Sequence, residues 1–340
     1  SEIEQQVKTV ELSIHEILMA LPNLPRPDVP QGLDEESNIV VRYWGEVLES
    51  KFEVIPHWDL GEQLGIIDFE RGVKLAGSRF YTLAGSGAKL ERALIAWMLD
   101  LHSKEHGYRE MMLPILVRRD IMEGSGNLPK FADNLYHDDE DDLWLVPTAE
   151  VPITNLHRDE ILDYGVLPKY YVAHTPCFRR EKAAAGRDTR GIKRVHQFNK
   201  VELVKFTTPE SSYDELESLT NQAESILQIL GLHYRVVALC TGDLSFAAAK
   251  CYDLEIWAPG EEKWLEVSSC SNFETFQARR GNIRYRKDSD KKIDFVHTLN
   301  GSGLATPRLV VALIETYQTS SGTIQFPTSV ADFLGIEEIK

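Results

Sequence analysis

The chain has 340 residues, 43% of them hydrophobic and 26% charged, which excludes disordered and fibrous classes of protein. No apolar run approaches the roughly 20 residues of a membrane-spanning helix, so we expect no membrane association. The formal net charge of −16 argues against nucleic acid as a partner, because phosphate binding needs clustered Lys and Arg. Residues 179–194 and 277–292 nevertheless each hold seven basic and two acidic residues, which indicates two anion sites or two solvated surface segments.

The first predicted element is a helix with a coiled-coil seam, for which an ordinary amphipathic helix is the alternative. Its apolar residues recur at steps of four and three: Ile3, Val7, Val10, Ile14, Ile17 and Leu21. Prolines at 22, 25, 27 and 30 then end the helix and predict an extended linker. We therefore expect a helix over residues 1–21, a linker over 22–37 and one large domain over 38–340.

Helices and strands alternate irregularly along the large domain. Amphipathic helices are predicted over 90–101, closed by Gly107, and over 216–230, closed by Gly231. Strands are predicted at 111–116, 143–147, 170–175, 200–206, 234–240, 252–257 and 263–268. Because several strands follow one another without a helix between them, we expect an α+β fold with a mostly antiparallel sheet flanked by helices. In the last strand, alternation places Trp264, Glu266 and Ser268 on one face.

The cysteines and histidines show no metal-binding or disulfide pattern. The cysteines stand at 177, 240, 251 and 270, without a CxxC pair, and the histidines form neither HExxH nor a zinc-finger spacing. Neutral, reduced thiols are the expected state, and this state predicts a cytoplasmic protein.

The sequence contains no P-loop, no dinucleotide-binding glycine motif and no nucleophile elbow. Four other stretches carry polar groups, and the first follows an apolar strand that ends at Val146. There Thr148 and Glu150 offer a hydroxyl and a carboxylate, which together can hold an ammonium group. The structural alternative is that Thr148 caps the next helix.

The second stretch reads as a strand, a long basic loop over 182–193 and a returning strand. Arg179 and Arg180 end the outgoing strand, where a guanidinium can bind a phosphate through two parallel hydrogen bonds. Phe198, on the returning strand, offers a ring for stacking on a nucleobase. A hairpin with a charged, solvent-exposed loop is the alternative.

The third and fourth stretches also suit a phosphate ligand. Glu266 and Ser269 offer the oxygen ligands that Mg²⁺ prefers beside phosphates. Residues 300–308 place glycines, Pro307 and Arg308 at the start of an apolar helix, and a helix N-terminus attracts anions. A plain junction between a loop and a helix is the alternative for this last stretch.

The order and spacing of these stretches resemble the seryl-tRNA synthetases, a class II aminoacyl-tRNA synthetase family, over nearly the whole chain. The segments that carry the resemblance are 77–81, 107–110 with Pro114, 128–131, 148–150, 178–181, 268–273 and the stretch ending at Arg308. The resemblance implies the class II synthetase fold and a two-step reaction. L-serine attacks ATP to give seryl-adenylate and pyrophosphate, and the serine then passes to tRNA(Ser).

The resemblance also implies roles for individual residues. Serine is expected to bind Thr148, Ala149, Glu150, Arg179, Glu202 and Ser302. ATP is expected to bind Arg179, Arg180, Glu181, Val195, His196, Gln197, Phe198, Glu266, Val267, Ser268, Ser269 and Arg308. Mg²⁺ is expected on Glu266 and Ser269. Glu202 is expected to bind the serine hydroxyl, so that alanine would leave a buried charge unpaired.

Further expectations concern partners and the N-terminus. The family is homodimeric through its motif 1, and the tRNA for selenocysteine is a second candidate acceptor. The family's long coiled-coil arm grips tRNA, and only its final stretch is recognisable here, so we expect a shortened core that charges tRNA weakly. The alternatives are a paralogue that activates an amino acid for a carrier protein or another non-tRNA acceptor, and a non-catalytic RNA-binding relic.

Overall fold

The computed structural model describes residues 2–48, 50–182, 190–288 and 290–340. Residues 183–189 of the predicted basic loop and the first residue of the predicted N-terminal helix lie outside these ranges. The described helices are α1 (Glu2–Ala20), α2 (His57–Gln63), α3 (Phe69–Ala76), α4 (Ser86–Lys104), α5 (Arg119–Ser125), α6 (Glu150–Thr154), α7 (Ser212–Ile229), α8 (Phe276–Gly281), α9 (Thr306–Thr316) and α10 (Thr328–Leu334). The described strands are β1 (Ile39–Trp44), β2 (Ile67–Asp68), β3 (Thr82–Leu83), β4 (Arg109–Glu110), β5 (Leu116–Arg118), β6 (His137–Asp138), β7 (Leu143–Leu145), β8 (Ile161–Asp163), β9 (Lys169–Phe178), β10 (Gln197–Thr207), β11 (Tyr234–Ala238), β12 (Lys250–Ala258), β13 (Lys263–Glu274), β14 (Arg284–Arg286), β15 (Ile293–Phe295), β16 (His297–Ala305), β17 (Ile324–Gln325) and β18 (Glu338–Ile339).

An eight-stranded sheet organises the large domain, with strand order β1-β11-β12-β13-β16-β10-β9-β4. Neighbouring strands are antiparallel except β4 and β9, which are parallel. One face of this sheet packs against α4, α7 and α9 in the largest apolar cluster. The predicted α+β fold, with a mostly antiparallel sheet flanked by helices, is therefore confirmed.

Three strands of the sheet were not predicted, and one predicted strand is wrong. Residues 111–116 do not form one strand, because β4 ends at Glu110 and β5 begins at Leu116. Pro114 lies between them and has no N–H to donate to a neighbouring strand. The unpredicted strands are β1 and β4 at the two edges of the sheet and β16 near its centre.

Glycines explain why β16 was read as a loop. Gly301 and Gly303 lower the strand propensity of this segment, yet both positions have no room for a side chain. A Cβ at Gly301 would lie 2.4 Å from Leu219 Cδ2 on α7, and one at Gly303 would lie 3.0 Å from His102 Nε2 on α4. The glycines thus let two helices approach the sheet, and β16 leads directly into α9.

The N-terminal helix stands apart from the core. The predicted helix is confirmed as α1, which has no buried residue, and its seam position Ile3 is 72% exposed. The following linker is anchored to the large domain. Asn23 N donates to Phe246 O at 2.9 Å, and Asn23 Nδ2 donates to Ala247 O at 2.8 Å. Within the described ranges, no helix has the length and apolarity needed to cross a membrane.

Candidate active site

A cavity of about 480 Å³ opens on the sheet face opposite the helical core. Lys200 on β10 and Ser302 on β16 line it, while Val201 and Leu203 point into the core, as strand alternation requires. Most of the predicted site residues line this cavity: Thr148, Glu150, Arg179, Glu181, Val195, Phe198, Glu266, Val267, Ser269, Ser302 and Arg308. Residues from four separate stretches of the chain therefore meet in one place.

A buried carboxylate contacts Thr148 and Lys200, two residues that line the cavity. Glu202 is fully buried, its Oε2 accepts a 2.9 Å hydrogen bond from Thr148 Oγ1, and the same oxygen lies 2.5 Å from Lys200 Nζ. Its other oxygen, Oε1, is buried and has no hydrogen-bond partner among the described residues. A buried acceptor without a partner costs about 1–3 kcal/mol, so this atom favours a ligand that brings its own donor.

Strand register brings Ser302 to the same place. A bulge between Val201 and Glu202 in the β10–β16 pairing leaves Gly303 unpaired and sets Ser302 directly opposite Glu202. Thr148 makes two hydrogen bonds, although Ala149 and not Thr148 is the N-cap residue of α6. Its hydroxyl donates to Glu202 and accepts from the Glu150 backbone N–H at 3.2 Å, which fixes the start of α6.

A second carboxylate, Glu150, faces the cavity close to the first. Its Oε1 accepts a 2.6 Å hydrogen bond from Gln277 Nε2, and Gln277 Oε1 in turn accepts from Thr298. Burial, and then repulsion from Glu202, raise the pKa of Glu150 to about 7. A cationic ligand would remove this penalty, because it would neutralise two adjacent carboxylates.

Arginine and aromatic side chains form the next part of the cavity wall. Arg179 Nε donates to Pro147 O at 3.3 Å, and its guanidinium lies 5.2 Å from the centre of the Phe198 ring. Glu181 also lines the cavity, with its carboxylate 3.5 Å from Arg194. A flat, anionic ligand can stack on Phe198 while the guanidinium binds its negative charge.

A bulge in β13 decides which of its residues reach the cavity. Leu254 pairs with Ser268 and Glu255 with Glu266, so Val267 is the extra residue. Glu266 and Ser269 consequently both line the cavity, whereas Ser268 turns towards the core, where its Oγ lies 3.5 Å from Cys270 Sγ. The predicted shared face of Glu266 and Ser268 is therefore wrong, because strict alternation does not hold across a bulge.

The charges around Glu266 favour its ionised form. Burial alone would raise its pKa, but Arg308 and Arg179 outweigh burial, and the pKa of Glu266 lies below its ordinary value. Burial and the nearby Glu266 charge raise the pKa of Asp253, which pairs with Ser269 across β12 and β13, well above its ordinary value. Carboxylate and hydroxyl oxygens together at this position fit Mg²⁺.

Arg308 lies beside Glu266 and is hydrogen-bonded to two separate segments of the chain. Its Nη1 donates to the Glu266 backbone oxygen and lies 3.3 Å from Glu266 Oε2, while its Nε donates to Lys193 O at 3.4 Å. Pro307 lies in the first turn of α9, as expected for the position it occupies. The start of α9 thus places a guanidinium beside the metal-fitting carboxylate.

A buried histidine holds the chain that supports Arg308. His57 Nε2 accepts from the Ile192 backbone N–H at 3.2 Å, so Nδ1 carries the proton and donates to Glu315 Oε1 at 2.8 Å. Glu315 also accepts from the backbone N–H of Gly260 at 3.0 Å. This network joins α2, α9 and the β12–β13 turn to the segment that contacts Arg308.

Glu202 is not among the residues that line the cavity, although its partners Thr148 and Lys200 are. The other predicted site residues do not line the cavity with their side chains either. Ala149 is fully buried in a second apolar cluster, and Gln197 lines a smaller cavity nearby. Arg180 turns away, because its Nε donates to Leu135 O and its guanidinium lies 4.4 Å from the Tyr136 ring. His196 Nδ1 is hydrogen-bonded to the Arg179 backbone oxygen at 2.9 Å, so His196 supports the backbone of Arg179 without lining the cavity.

Comparison with known proteins now assigns the family. The tRNA synthetase class II core domain family (G, H, P, S and T) matches residues 131–317. A serine–tRNA ligase of Thermomicrobium roseum is 61% identical over 98% of this chain and 75% of its own length. The chain belongs to the serine–tRNA ligase family.

Other serine–tRNA ligases and solved structures agree with this assignment. A serine–tRNA ligase of Geobacillus kaustophilus is 56% identical over 99% of this chain and 80% of its own length. The crystal structure of seryl-tRNA synthetase from Pyrococcus horikoshii complexed with ATP has a TM-score of 0.94 and 42% identity, and the match covers 99% of this chain and 80% of that one. The class II synthetase fold expected from the resemblance is therefore confirmed.

Three residues of the candidate site were given no role from the sequence. Lys200 lies two positions before Glu202 on the same strand, so alternation alone could have assigned it to the cavity. Asp253 faces Ser269 only through the β12–β13 register, which the sequence does not reveal. Gln277, which holds Glu150, lies within the second basic segment and has no recognisable local signal.

Proposed function

We propose that the cavity binds L-serine and ATP, joins them as seryl-adenylate, and then transfers serine to tRNA(Ser). The single observation that carries the assignment to serine is the buried Oε1 of Glu202, a hydrogen-bond acceptor without a partner among the described residues. Its carboxylate contacts Thr148 and Lys200, which line a cavity that otherwise fits an ammonium group and a nucleotide. The names of the relatives, serine–tRNA ligase, support tRNA as the acceptor over a carrier protein.

The charged residues of the cavity determine how serine would be oriented. The serine ammonium would lie between Glu150 and Glu202, where it offsets the repulsion that raises the pKa of Glu150. The hydroxyl would donate to Glu202 Oε1, with Thr148 and Ser302 closing the pocket around it. The serine carboxylate would then point towards Arg179, which lines the same cavity.

ATP would bind with its phosphates beside the serine carboxylate and Arg179. We assign adenine to Phe198, with Val195 and Glu181 beside it and Arg308 above it. A serine carboxylate oxygen attacks the α-phosphorus, the bond to the bridging oxygen breaks, and pyrophosphate leaves with the electron pair. Arg179 and Arg308 stabilise the charge that develops on phosphorus, and they act by position rather than by covalent chemistry.

Glu266 and Ser269 would hold the Mg²⁺ that accompanies ATP, and Asp253 lies opposite Ser269. When bound, the ion would neutralise phosphate charge. Without it, Glu266 is balanced by Arg308 and Arg179, which keep its carboxylate ionised and available.

The proposal also includes a dimer, a division of the chain and a location. Exposed apolar residues next to β4 and β5, such as Met112 at 99% exposure, suit a homodimer interface in the motif 1 region. We assign residues 1–21 to an arm helix, 22–37 to a linker and 38–340 to the catalytic domain. Four free, buried cysteines support a cytoplasmic location. Besides tRNA(Ser), the tRNA for selenocysteine is a second acceptor to assay.

Pyrophosphate exchange into ATP tests the first step, and aminoacylation tests the second. The proposal expects exchange that depends on serine and Mg²⁺, with little exchange on alanine, glycine or threonine. It also expects serine to be attached to a tRNA(Ser) transcript. Absence of serine-dependent exchange would remove the proposed activity, and exchange without transfer to tRNA would favour a non-tRNA acceptor.

A further inference from the structure

The short helix α8 contains the start of the second basic segment, to which the proposed function gives no role. Its arginines do not line the cavity. Arg279 is exposed to solvent, and Arg280 Nη2 donates to Met19 O of α1 at 3.1 Å. Gln277 on the same helix is only 1% exposed and contacts Glu150, although it does not line the cavity itself. An uncharged side chain of this basic segment therefore reaches the serine end of the site.

Hydrogen bonding determines the orientation of the Gln277 amide. Its Nε2 lies 2.6 Å from Glu150 Oε1 and 3.2 Å from Ser125 O. A carboxylate and a backbone carbonyl only accept hydrogen bonds, so the amide nitrogen must face them and donate to both. The amide oxygen then faces Thr298, whose Oγ1 donates to it at 2.7 Å. Both amide protons and the amide oxygen are used, and Thr298 is fully buried.

Apolar packing fixes the distance between this amide and the carboxylate. Ala278, next to Gln277 on α8, and Ala149, next to Glu150 at the start of α6, are fully buried in the same apolar cluster. The two polar side chains therefore extend from backbone segments that are held together by a shared core. A carboxylate held in this way loses little further freedom when a ligand binds.

The charges near Glu150 show what an uncharged donor contributes. Burial and then repulsion from Glu202 raise the pKa of Glu150 to about 7. The hydrogen bond from Gln277 opposes this rise, and so do the positive charges of Lys200 and Arg179. A cation in direct contact with Glu150 would repel an incoming ammonium group, whereas an amide favours the ionised carboxylate without this repulsion.

We propose that Gln277, oriented by Thr298, is a positioning residue for amino-acid binding, because it holds the Glu150 carboxylate towards the ammonium group of serine. This inference rests on the proposed function, which assigns the ammonium group to Glu150. Gln277 acts through Glu150, and Thr298 acts through Gln277. The chain of hydrogen bonds therefore runs from β16 through α8 to the carboxylate that binds the substrate.

Gln277→Met tests the proposal, since it preserves the length of the side chain and removes its hydrogen bonds. In the whole chain, kcat/KM for serine in pyrophosphate exchange should fall about tenfold to hundredfold, because a hydrogen bond to a charged group contributes that much. The loss should lie in KM for serine, with KM for ATP unchanged. The pH at which kcat/KM reaches half of its plateau should rise by about one unit or more, because the ionised carboxylate loses a donor.

Thr298 provides a second, independent pair of variants. Thr298→Val should shift KM for serine and the pH midpoint in the same direction as Gln277→Met, and Thr298→Ser, which keeps the hydroxyl, should preserve the original values. Adding Thr298→Val to Gln277→Met should cause no further change, since Thr298 acts through Gln277. If Gln277→Met does not fold, the two Thr298 variants decide the same question.

Asn272→Ala is the matched control for a general loss of stability. Asn272 is fully buried, its Nδ2 donates to Ser212 Oγ at 3.1 Å, and it does not line the cavity. This variant should lower the free energy of unfolding, because it removes hydrogen bonds of a buried amide, and should leave the pH midpoint in place. A midpoint that moves equally in Asn272→Ala and Gln277→Met would reduce Gln277 to a structural role.

Calorimetric binding of serine and of an analogue in which hydrogen replaces the amino group isolates the ammonium contribution. Gln277→Met should weaken the binding of serine and leave that of the analogue unchanged. Equal weakening of both ligands, an unmoved pH midpoint, or additive effects in the double variant would overturn the inference. If the unmodified protein shows no serine-dependent exchange, the proposed function itself fails, and this result is distinct from the others.

Discussion

Thr148 Oγ1 donates a 2.9 Å hydrogen bond to Glu202 Oε2, and this bond joins a loop after β7 to the centre of the main sheet. It occupies one oxygen of a fully buried carboxylate and leaves Oε1 without a partner among the described residues. The pair therefore provides one oriented acceptor, which suits a hydroxyl or ammonium donor and is unfavourable beside a methyl group.

The raised pKa of Glu150 predicts a pH dependence. Its carboxyl has a pKa of about 7, so it is partly protonated at neutral pH and cannot then attract the serine ammonium fully. kcat/KM for serine in pyrophosphate exchange should rise as pH increases through about 7, because the ionised form binds. Glu150→Gln should be less active and should lack this rise. If kcat/KM still rises with pH in Glu150→Gln, the pH dependence belongs to another titrating group.

The same shift has a consequence for stability. Folding raises the pKa of Glu150, so the protonated carboxyl stabilises the folded chain relative to the unfolded one. This contribution to the free energy of unfolding is lost as the pH rises from the ordinary pKa of glutamate towards about 7. The free energy of unfolding of the ligand-free protein, relative to that of Glu150→Gln, should therefore fall over this interval. Denaturant unfolding at several pH values measures it, and the opposite slope would contradict the assigned direction.

The β13 bulge predicts different effects at two adjacent serines. Ser269→Ala removes a cavity-facing oxygen and should raise the Mg²⁺ concentration needed for half-maximal exchange several-fold. Ser268→Ala should leave the Mg²⁺ dependence unchanged, because its hydroxyl donates to Ser302 O at 2.7 Å instead. Titration of exchange activity with Mg²⁺ compares them, and an equal shift in both variants would refute the assigned orientations.

The His57 network should affect ATP more than serine. His57→Ala removes the acceptor of the Ile192 N–H and the imidazole donor to Glu315 Oε1, which should lower the free energy of unfolding by about 1–3 kcal/mol. Since Lys193 O, next to Ile192, supports Arg308, KM for ATP should rise while KM for serine changes little. Parallel increases in the two KM values would indicate general destabilisation rather than positioning of Arg308.

Glycines in β16 give a prediction about packing. Gly301→Ala would place a Cβ 2.4 Å from Leu219 Cδ2 and should lower the free energy of unfolding by about 1–3 kcal/mol. Gly165→Ala is the control, since a Cβ there meets nothing within 4 Å. Denaturant unfolding of both variants distinguishes them, and equal stabilities would show that α7 can move away at no cost.

The general architecture could be predicted from the sequence, and most of the predicted site residues line the cavity. Clustered strands indicated an antiparallel sheet, and residues such as Arg179 and Arg308 were found by their place at strand and helix ends. The bulges at Val267 and Gly303 could not be predicted, because register depends on partners distant in sequence. Those bulges determine that Ser269 and Ser302 face the cavity and that Ser268 does not.

Selection of serine over alanine tests the central claim most directly. Pyrophosphate exchange should be measured with both amino acids for the unmodified protein, Glu202→Ala and Glu202→Gln. The unmodified protein should favour serine by about 10⁴ or more, as sites that bind a substrate hydroxyl do. Glu202→Ala should lose most of that preference while retaining ATP binding, and a serine preference that survives in Glu202→Ala would contradict the account.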